Sequence, residues 1–114
     1  SLIDMVFDGT LITDEEIDRM WDFSKYPGSM NAMFREFAET WEDFNSAEIE
    51  QVSTNTLLIW GEEDTICPIS MGEWYDSKLA NSVMVRLPNI GHIPQFECPD
   101  KCLEEISSWL ETLS

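Results

Sequence analysis

Basic residues are scarce in this sequence: six lysines and arginines stand against 23 aspartates and glutamates, for a formal net charge of −17. A protein this acidic repels phosphate backbones and anionic lipid surfaces. No apolar run reaches the length of a membrane span, and no lysine or arginine precedes an apolar stretch near the start, as in a signal peptide. These absences argue against nucleic acid partners, membrane partners and a membrane span.

Cysteine and histidine are also sparse. Three cysteines, Cys67, Cys98 and Cys102, are an odd number at irregular spacing. This pattern does not suit a disulfide framework and favours a reducing compartment, so we expect a cytoplasmic protein. The paired C-x2-C spacing of structural zinc sites is missing, so no metal is expected at these cysteines and His92, the single histidine. Nothing in the sequence indicates a cofactor.

The first 50 residues have helical periodicity. Thr13 and Glu16 have the spacing of a capping box, which predicts a helix running to about Ser24. A second helix is indicated by apolar side chains at three- and four-residue steps, namely Met30, Met33, Phe34, Phe37, Trp41 and Phe44. This stripe is the buried face of a helix pair or, alternatively, the wall of an apolar substrate pocket. The spacing by itself favours the buried face.

Residues 51–114 change to a strand–helix–strand–helix pattern. The apolar run Thr56–Trp60, closed by Gly61, predicts a strand covered on both faces, as in a parallel sheet. Val83–Leu87 predicts a second strand, joined to the first by a helix in a right-handed crossover. That helix is expected to have Ser70 as its cap. Two strands do not make a complete sheet, so we expect a neighbouring strand outside this chain.

A terminal helix is expected to begin at Pro99, because proline suits the first helical turn. Its apolar positions, Leu103, Ile106, Leu110 and Leu113, predict a continuous buried stripe.

Polar loops follow both predicted strands, Glu62-Glu63-Asp64 after the first and Pro88–His92 after the second. Since the carboxyl ends of parallel strands meet at one edge of a sheet, an acid and His92 should emerge together. A carboxylate beside histidine fixes the imidazole tautomer and stabilises the imidazolium formed during proton transfer. Spacing alone favours a structural histidine over a catalytic one, and all three acids remain candidates for its partner.

The two loops together resemble the C-terminal part of α/β-hydrolase-fold enzymes. In that family one loop has the pattern G-x-x-D-x-x-x-P and carries the triad acid, and a later G-H-x-P loop carries the histidine. The matching residues are Gly61, Asp64 and Pro68 in the first loop and Gly91, His92 and Pro94 in the second. The resemblance covers about residues 52–113 and includes the Glu97-x-Pro99 pair, while the upstream helices of residues 13–44 look like the family's lid.

The resemblance implies an α/β fold whose sheet is incomplete in this chain. Residues 1–50 would form a helical lid segment and residues 51–114 the C-terminal part of the hydrolase core. Asp64, favoured over its two neighbouring acids by the motif, would be the triad acid, and His92 the general base. The complete enzyme would hydrolyse an ester or related bond of a small apolar substrate.

Half of the family's catalytic apparatus has no match in this sequence. The G-x-S-x-G nucleophile elbow and the oxyanion-hole loop are both absent. We therefore expect the nucleophile in a missing N-terminal core of the same fold, and this chain alone to be inactive. The alternative is a catalytically inactive derivative that acts as a binding or interaction module, with Asp64 and His92 as relics.

Overall fold

The computed structural model describes residues 2–38 and 46–114. Its helices and strands, in chain order, are α1 (Leu2–Met5), a 3₁₀ helix (Gly9–Leu11), α2 (Asp14–Ser24), α3 (Ser29–Ala38), α4 (Ser46–Glu50), β1 (Thr56–Gly61), α5 (Ile69–Lys78), β2 (Ser82–Leu87), α6 (Pro94–Glu97) and α7 (Pro99–Thr112). The described residues divide into two compact units, one of residues 12–38 and the other of residues 2–11 and 46–114. None of the described helices has the length and hydrophobicity of a membrane-spanning segment.

The unit of residues 12–38 contains α2 and α3. Thr13 caps α2 as predicted: its Oγ1 accepts the N–H of Glu16 at 3.2 Å and donates to the Glu16 carboxylate at 3.2 Å. In α3, Met30, Met33 and Phe34 are exposed, so the expectation that they form a buried face is wrong. The predicted continuation of that stripe to residues 41 and 44 lies outside the described residues, as does the side chain at position 37.

The second unit is built on a parallel pair of strands, as predicted. β1 and β2 pair with Thr56 opposite Ser82 and Gly61 opposite Leu87. Helix α5 connects them and packs on one face, where a Cβ atom at Gly72 would come within 2.8 Å of the Trp60 side chain. Helix α7 packs against β1.

The start of α5 differs from the expectation. Pro68, not Ser70, is its N-cap residue, and Ser70 lies in the first turn. The helix begins early because the carbonyl of Pro68 already accepts the N–H of Met71 at 2.8 Å. Proline adds a fixed φ that suits the entry to a helix.

Helix α7 begins at Pro99 as predicted, but its apolar stripe is not buried. Leu103 is 64% exposed and Leu110 52%, whereas Cys102 is only 6% exposed. Neighbouring strands lie only about 4.8 Å apart, whereas a helix with its side chains is about 10 Å wide. The contacts of α7 with the sheet are mainly with β1, so one side of the helix is covered and the rest of its apolar surface is open.

The N-terminal residues 2–11 belong to the unit that contains the sheet. Val6 is one of the few buried apolar side chains of the described residues, together with Leu87 and Cys102. The Oγ1 of Thr65 donates to the carbonyl of Asp4 at 3.1 Å, which ties this segment to the loop after β1. The sequence did not predict this packing, because α1 has only four residues and no periodicity.

Candidate active site

The loops after β1 and β2 are held together by backbone hydrogen bonds. The N–H of Glu62 donates to the carbonyl of Leu87 at 3.0 Å, and the N–H of Glu63 donates to the carbonyl of Ile90 at 3.1 Å. The two chains approach so closely that a Cβ atom at Gly61 would collide with the carbonyl oxygens of Ile90 and Gly91. Glycine at position 61 thus permits the contact that brings the acid and the histidine to the same edge.

The structure brings Asp64 and His92 into direct contact, with Oδ2 of the acid 2.9 Å from Nδ1 of the imidazole. The other carboxylate oxygen, Oδ1, accepts the N–H groups of Ile66 at 2.9 Å and Cys67 at 2.8 Å. The Asp64 side chain is only 6% exposed. Both of its oxygens are therefore engaged, and the carboxylate has a fixed orientation towards the ring.

This contact determines which nitrogen of a neutral imidazole carries the proton. An ionised carboxylate only accepts hydrogen bonds, so the proton lies on Nδ1 of His92. Nε2 is then left with a free lone pair, and among the residues that the structure describes it has no hydrogen-bond partner. A histidine in this tautomer can accept a proton from a nucleophile.

The neighbouring acids are placed differently. Glu63 accepts the N–H of Ile90 through Oε2 at 3.1 Å, so its carboxylate is engaged in holding the loop after β2. Glu62 is exposed. Within the described residues, Asp64 alone of these three acids contacts the imidazole, which agrees with the choice made from the motif. Whether the pair is catalytic remains a prediction.

The backbone of His92 is held by residues that the sequence did not single out for this purpose. Its N–H donates to the carbonyl of Met5 at 2.6 Å. The Glu97 carboxylate accepts the N–H groups on both sides of it, from Gly91 at 3.0 Å and from Ile93 at 3.3 Å. Only the match of Glu97-x-Pro99 to a family pattern pointed to Glu97, and no local signal pointed to Met5.

A cavity of about 370 Å³ opens beside the imidazole. Asp64, His92, Trp60 and Ile106 are among its lining residues, and most of its surface is apolar. The His92 side chain is 30% exposed. A second reacting group can therefore approach the imidazole of His92 from the cavity, while the Asp64 carboxylate is shielded from water.

Cys98 is poorly suited to act as a nucleophile or as a metal ligand. Burial, and next the neighbouring Cys102 thiol, raises the pKa of Cys98 to about 11. A thiol protonated near neutral pH is a weak nucleophile and a poor metal ligand. Across residues 2–38 and 46–114, no group of three or more histidine, cysteine or acidic residues is placed to hold a metal ion.

Comparison with known proteins identifies hydrolases among the relatives. No family model matches the chain. It is 31% identical over 111 residues to the uncharacterized hydrolase YugF of Bacillus subtilis, an alignment covering 97% of this chain and 41% of that protein. It is 36% identical over 55 residues to the pimeloyl-(acyl-carrier protein) methyl ester esterase of Nitrosomonas europaea, covering 48% of this chain and 22% of the esterase. The chain thus spans less than half the length of the curated relatives it matches.

Solved structures show the same fold. A serine hydrolase involved in carbazole degradation, CarC, superposes with a TM-score of 0.84 at 20% identity, covering 97% of this chain and 45% of that chain. The meta-cleavage product hydrolase of Pseudomonas fluorescens IP01 gives a TM-score of 0.83 at 20% identity, covering 99% of this chain and 44% of that chain. MGS-MChE2, an α/β hydrolase from a lagoon-sediment metagenome, gives a TM-score of 0.71 at 16% identity, covering 87% of this chain and 45% of that chain. At these identities the likeness concerns the fold alone.

Proposed function

We propose, from the premise that this chain belongs to the α/β-hydrolase-fold family and forms the C-terminal part of that fold, that it supplies the acid and the histidine of a nucleophile–histidine–aspartate triad. The complete enzyme hydrolyses an ester or related bond of a small apolar substrate. The observation that carries the proposal is the 2.9 Å contact between Asp64 Oδ2 and His92 Nδ1, at the edge where two parallel strands end.

The proposed chemistry follows from the tautomer of His92. Nε2 takes the proton of the nucleophile as that group attacks the scissile carbon, and the imidazolium so formed is stabilised by the Asp64 carboxylate. The same proton then passes to the leaving-group oxygen. In the second half of the reaction Nε2 takes a proton from water, and the hydroxide attacks the carbonyl carbon of the acyl-enzyme. The bond between that carbon and the nucleophile then breaks, the proton returns to the nucleophile, and the carboxylic acid is released.

The nucleophile and the oxyanion-hole donors are assigned to an N-terminal core of the same fold, which would pair with the free edge of β1. The N–H of Thr56 donates to the carbonyl of Asn81 at 2.9 Å, and the N–H of Glu62 donates to the carbonyl of Leu87 at 3.0 Å. Because the direction of backbone groups alternates along a strand, the even-numbered residues of β1 direct theirs at β2. The backbone groups of Leu57 and Ile59 therefore point to the opposite edge, where another strand can pair with them. This chain alone is accordingly expected to be inactive.

The lid of this enzyme is assigned to α2 and α3, because residues 2–11 of the predicted lid segment of residues 1–50 belong to the unit that contains the sheet. The exposed aromatic side chains of Trp21, Phe23 and Phe34 support this assignment, because they offer apolar surface to a substrate. The substrate is accordingly proposed to be small and apolar.

The test uses the whole gene product that contains this chain, assayed with p-nitrophenyl esters of increasing acyl length. We expect His92→Ala to lower kcat by at least about 10³-fold with an unchanged circular dichroism spectrum. Glu62→Gln is the matched control, because Glu62 is exposed and lies two residues from Asp64. Retained activity in His92→Ala would contradict the proposed role of His92. A wild-type protein that hydrolyses no ester or thioester would favour the inactive binding module instead.

A further inference from the structure

Glu97 accepts hydrogen bonds from two segments that are far apart in the sequence. Its carboxylate receives the N–H of Gly91 at 3.0 Å on both oxygens and the N–H of Ile93 on Oε1 at 3.3 Å. It also receives the N–H of Phe7 on Oε2 at 2.8 Å. Its described partners are thus the two neighbours of His92 and a residue of the N-terminal segment.

The N-terminal segment lies directly against the histidine loop. The carbonyl of Met5 accepts the N–H of His92 at 2.6 Å. A Cβ atom at Gly91 would come within 2.7 Å of that carbonyl oxygen and within 2.9 Å of the nitrogen of Phe7. No side chain fits between the two segments, so Glu97 joins them at a point where their backbones touch.

We infer that Glu97 is a positioning residue for His92. By binding the amides on both sides of the histidine and anchoring them to Phe7, it determines where the imidazole stands relative to Asp64. No described lysine or arginine forms an ion pair with Glu97, so the carboxylate serves backbone amides. This inference rests on the proposed function and adds a further residue to the same site.

The substitution Glu97→Gln tests the inference with little change of volume. The N–H of Gly91 contacts both carboxylate oxygens, so an amide group in either orientation places an NH₂ group against a backbone donor. The loop must then shift. A displacement of about 1 Å at a catalytic group lowers the rate by up to about 10²-fold. We therefore expect kcat for p-nitrophenyl ester hydrolysis to fall about 10- to 100-fold, with KM changed less than about twofold.

Asp76→Asn is the matched control. Asp76 also accepts a hydrogen bond from the chain of β2, from the Oγ of Ser82 at 2.7 Å, but it does so at the start of that strand, away from His92. Both variants are assayed in the whole gene product, well below the melting temperature of each. Hydrogen–deuterium exchange of the peptide that contains Gly91 and Ile93 is measured on the same samples.

The expected result is a large fall in kcat and at least about tenfold faster exchange in Glu97→Gln, with neither effect in Asp76→Asn. Faster exchange with unchanged kcat would overturn the positioning role and leave the proposed function standing. A loss of kcat that Asp76→Asn shares would show that general destabilisation is responsible, and would also overturn the inference. If the wild-type protein and His92→Ala are equally inactive, the proposed function itself fails, and the role of Glu97 fails with it.

Discussion

Replacing Asp64 by asparagine removes the charge of the acid while keeping its shape. The amide oxygen can still accept the N–H groups of Ile66 and Cys67, so the loop after β1 retains both hydrogen bonds. The amide nitrogen then faces Nδ1 of His92, and because an NH₂ group only donates, the imidazole must carry its proton on Nε2. Nε2 can no longer take the proton of a nucleophile. We expect kcat to fall about 10⁴-fold, equivalent to about 5.5 kcal/mol of activation free energy.

The change to alanine separates the orienting role of Asp64 from its structural one. Without a carboxylate, the N–H groups of Ile66 and Cys67 lose their acceptor. A buried donor left without a partner costs about 1–3 kcal/mol. Ile66 is 50% exposed and water can replace its bond, whereas Cys67 is half-buried and carries more of the loss. We expect Asp64→Ala to lower the free energy of unfolding by about 2 kcal/mol, and Asp64→Asn by less than about 1 kcal/mol.

Both variants are assayed in the whole gene product by ester hydrolysis and by urea unfolding. The reasoning is refuted if Asp64→Asn keeps more than about one tenth of the wild-type kcat, since a change of tautomer is expected to cost far more. Equal stability losses in the two variants would show that Oδ1 does not hold the loop. Glu62→Gln should leave both the rate and the stability unchanged.

Three further predictions concern other parts of the chain. Gly61→Ala should destabilise the protein by about 3 kcal/mol in urea unfolding, since its Cβ would collide with backbone oxygens; wild-type stability would mean that the loops are farther apart. Thr13→Ala should cost about 1 kcal/mol in the same measurement through loss of its cap, and a change near zero would count against that cap. The pKa of Cys98 is raised to about 11, so less of its thiol is ionised at pH 8. We expect it to react with iodoacetamide about tenfold more slowly in the native protein than in the urea-unfolded protein, as measured by peptide mass spectrometry. Equal rates would contradict the raised pKa.

The parts of the fold that the sequence predicts well are those set by neighbouring residues. The cap at Thr13, the end of β1 at Gly61 and the start of α7 at Pro99 each depend on a few adjacent positions. Burial is different. The spacing of Leu103 and Leu110 places them on one face of α7, but the prediction that this face is buried is wrong, because periodicity does not reveal whether anything covers a face. The two-stranded sheet of this chain does not cover it.

The same distinction applies to the candidate site. The meeting of Asp64 and His92 follows from the sequence because parallel strands end at a common edge and each residue lies just beyond its strand. The contact of Glu97 with Phe7 joins residues 90 positions apart, and α6 and α1 have only four residues each. Such short helices have no periodicity to detect, and no rule of local sequence brings them together. That Glu97 and Met5 support the histidine backbone could therefore be found only from the structure.

The proposed triad divides into an acid–histidine pair in this chain and a nucleophile outside it, and this division has a measurable consequence. The described hydrogen bonds of His92 come from Asp64, whose two oxygens are both occupied, and from the carbonyl of Met5, so we expect both residues to orient the imidazole and not to bind the substrate. Loss of orientation should therefore slow proton transfer by the same factor whatever acyl group is bound. Across a series of p-nitrophenyl esters, Asp64→Asn should lower kcat/KM uniformly, whereas substitution of the exposed Trp21 or Phe34 should alter the order of preference. An Asp64→Asn variant with a changed acyl preference would show that the acid contacts the substrate, contrary to the geometry of its two occupied oxygens.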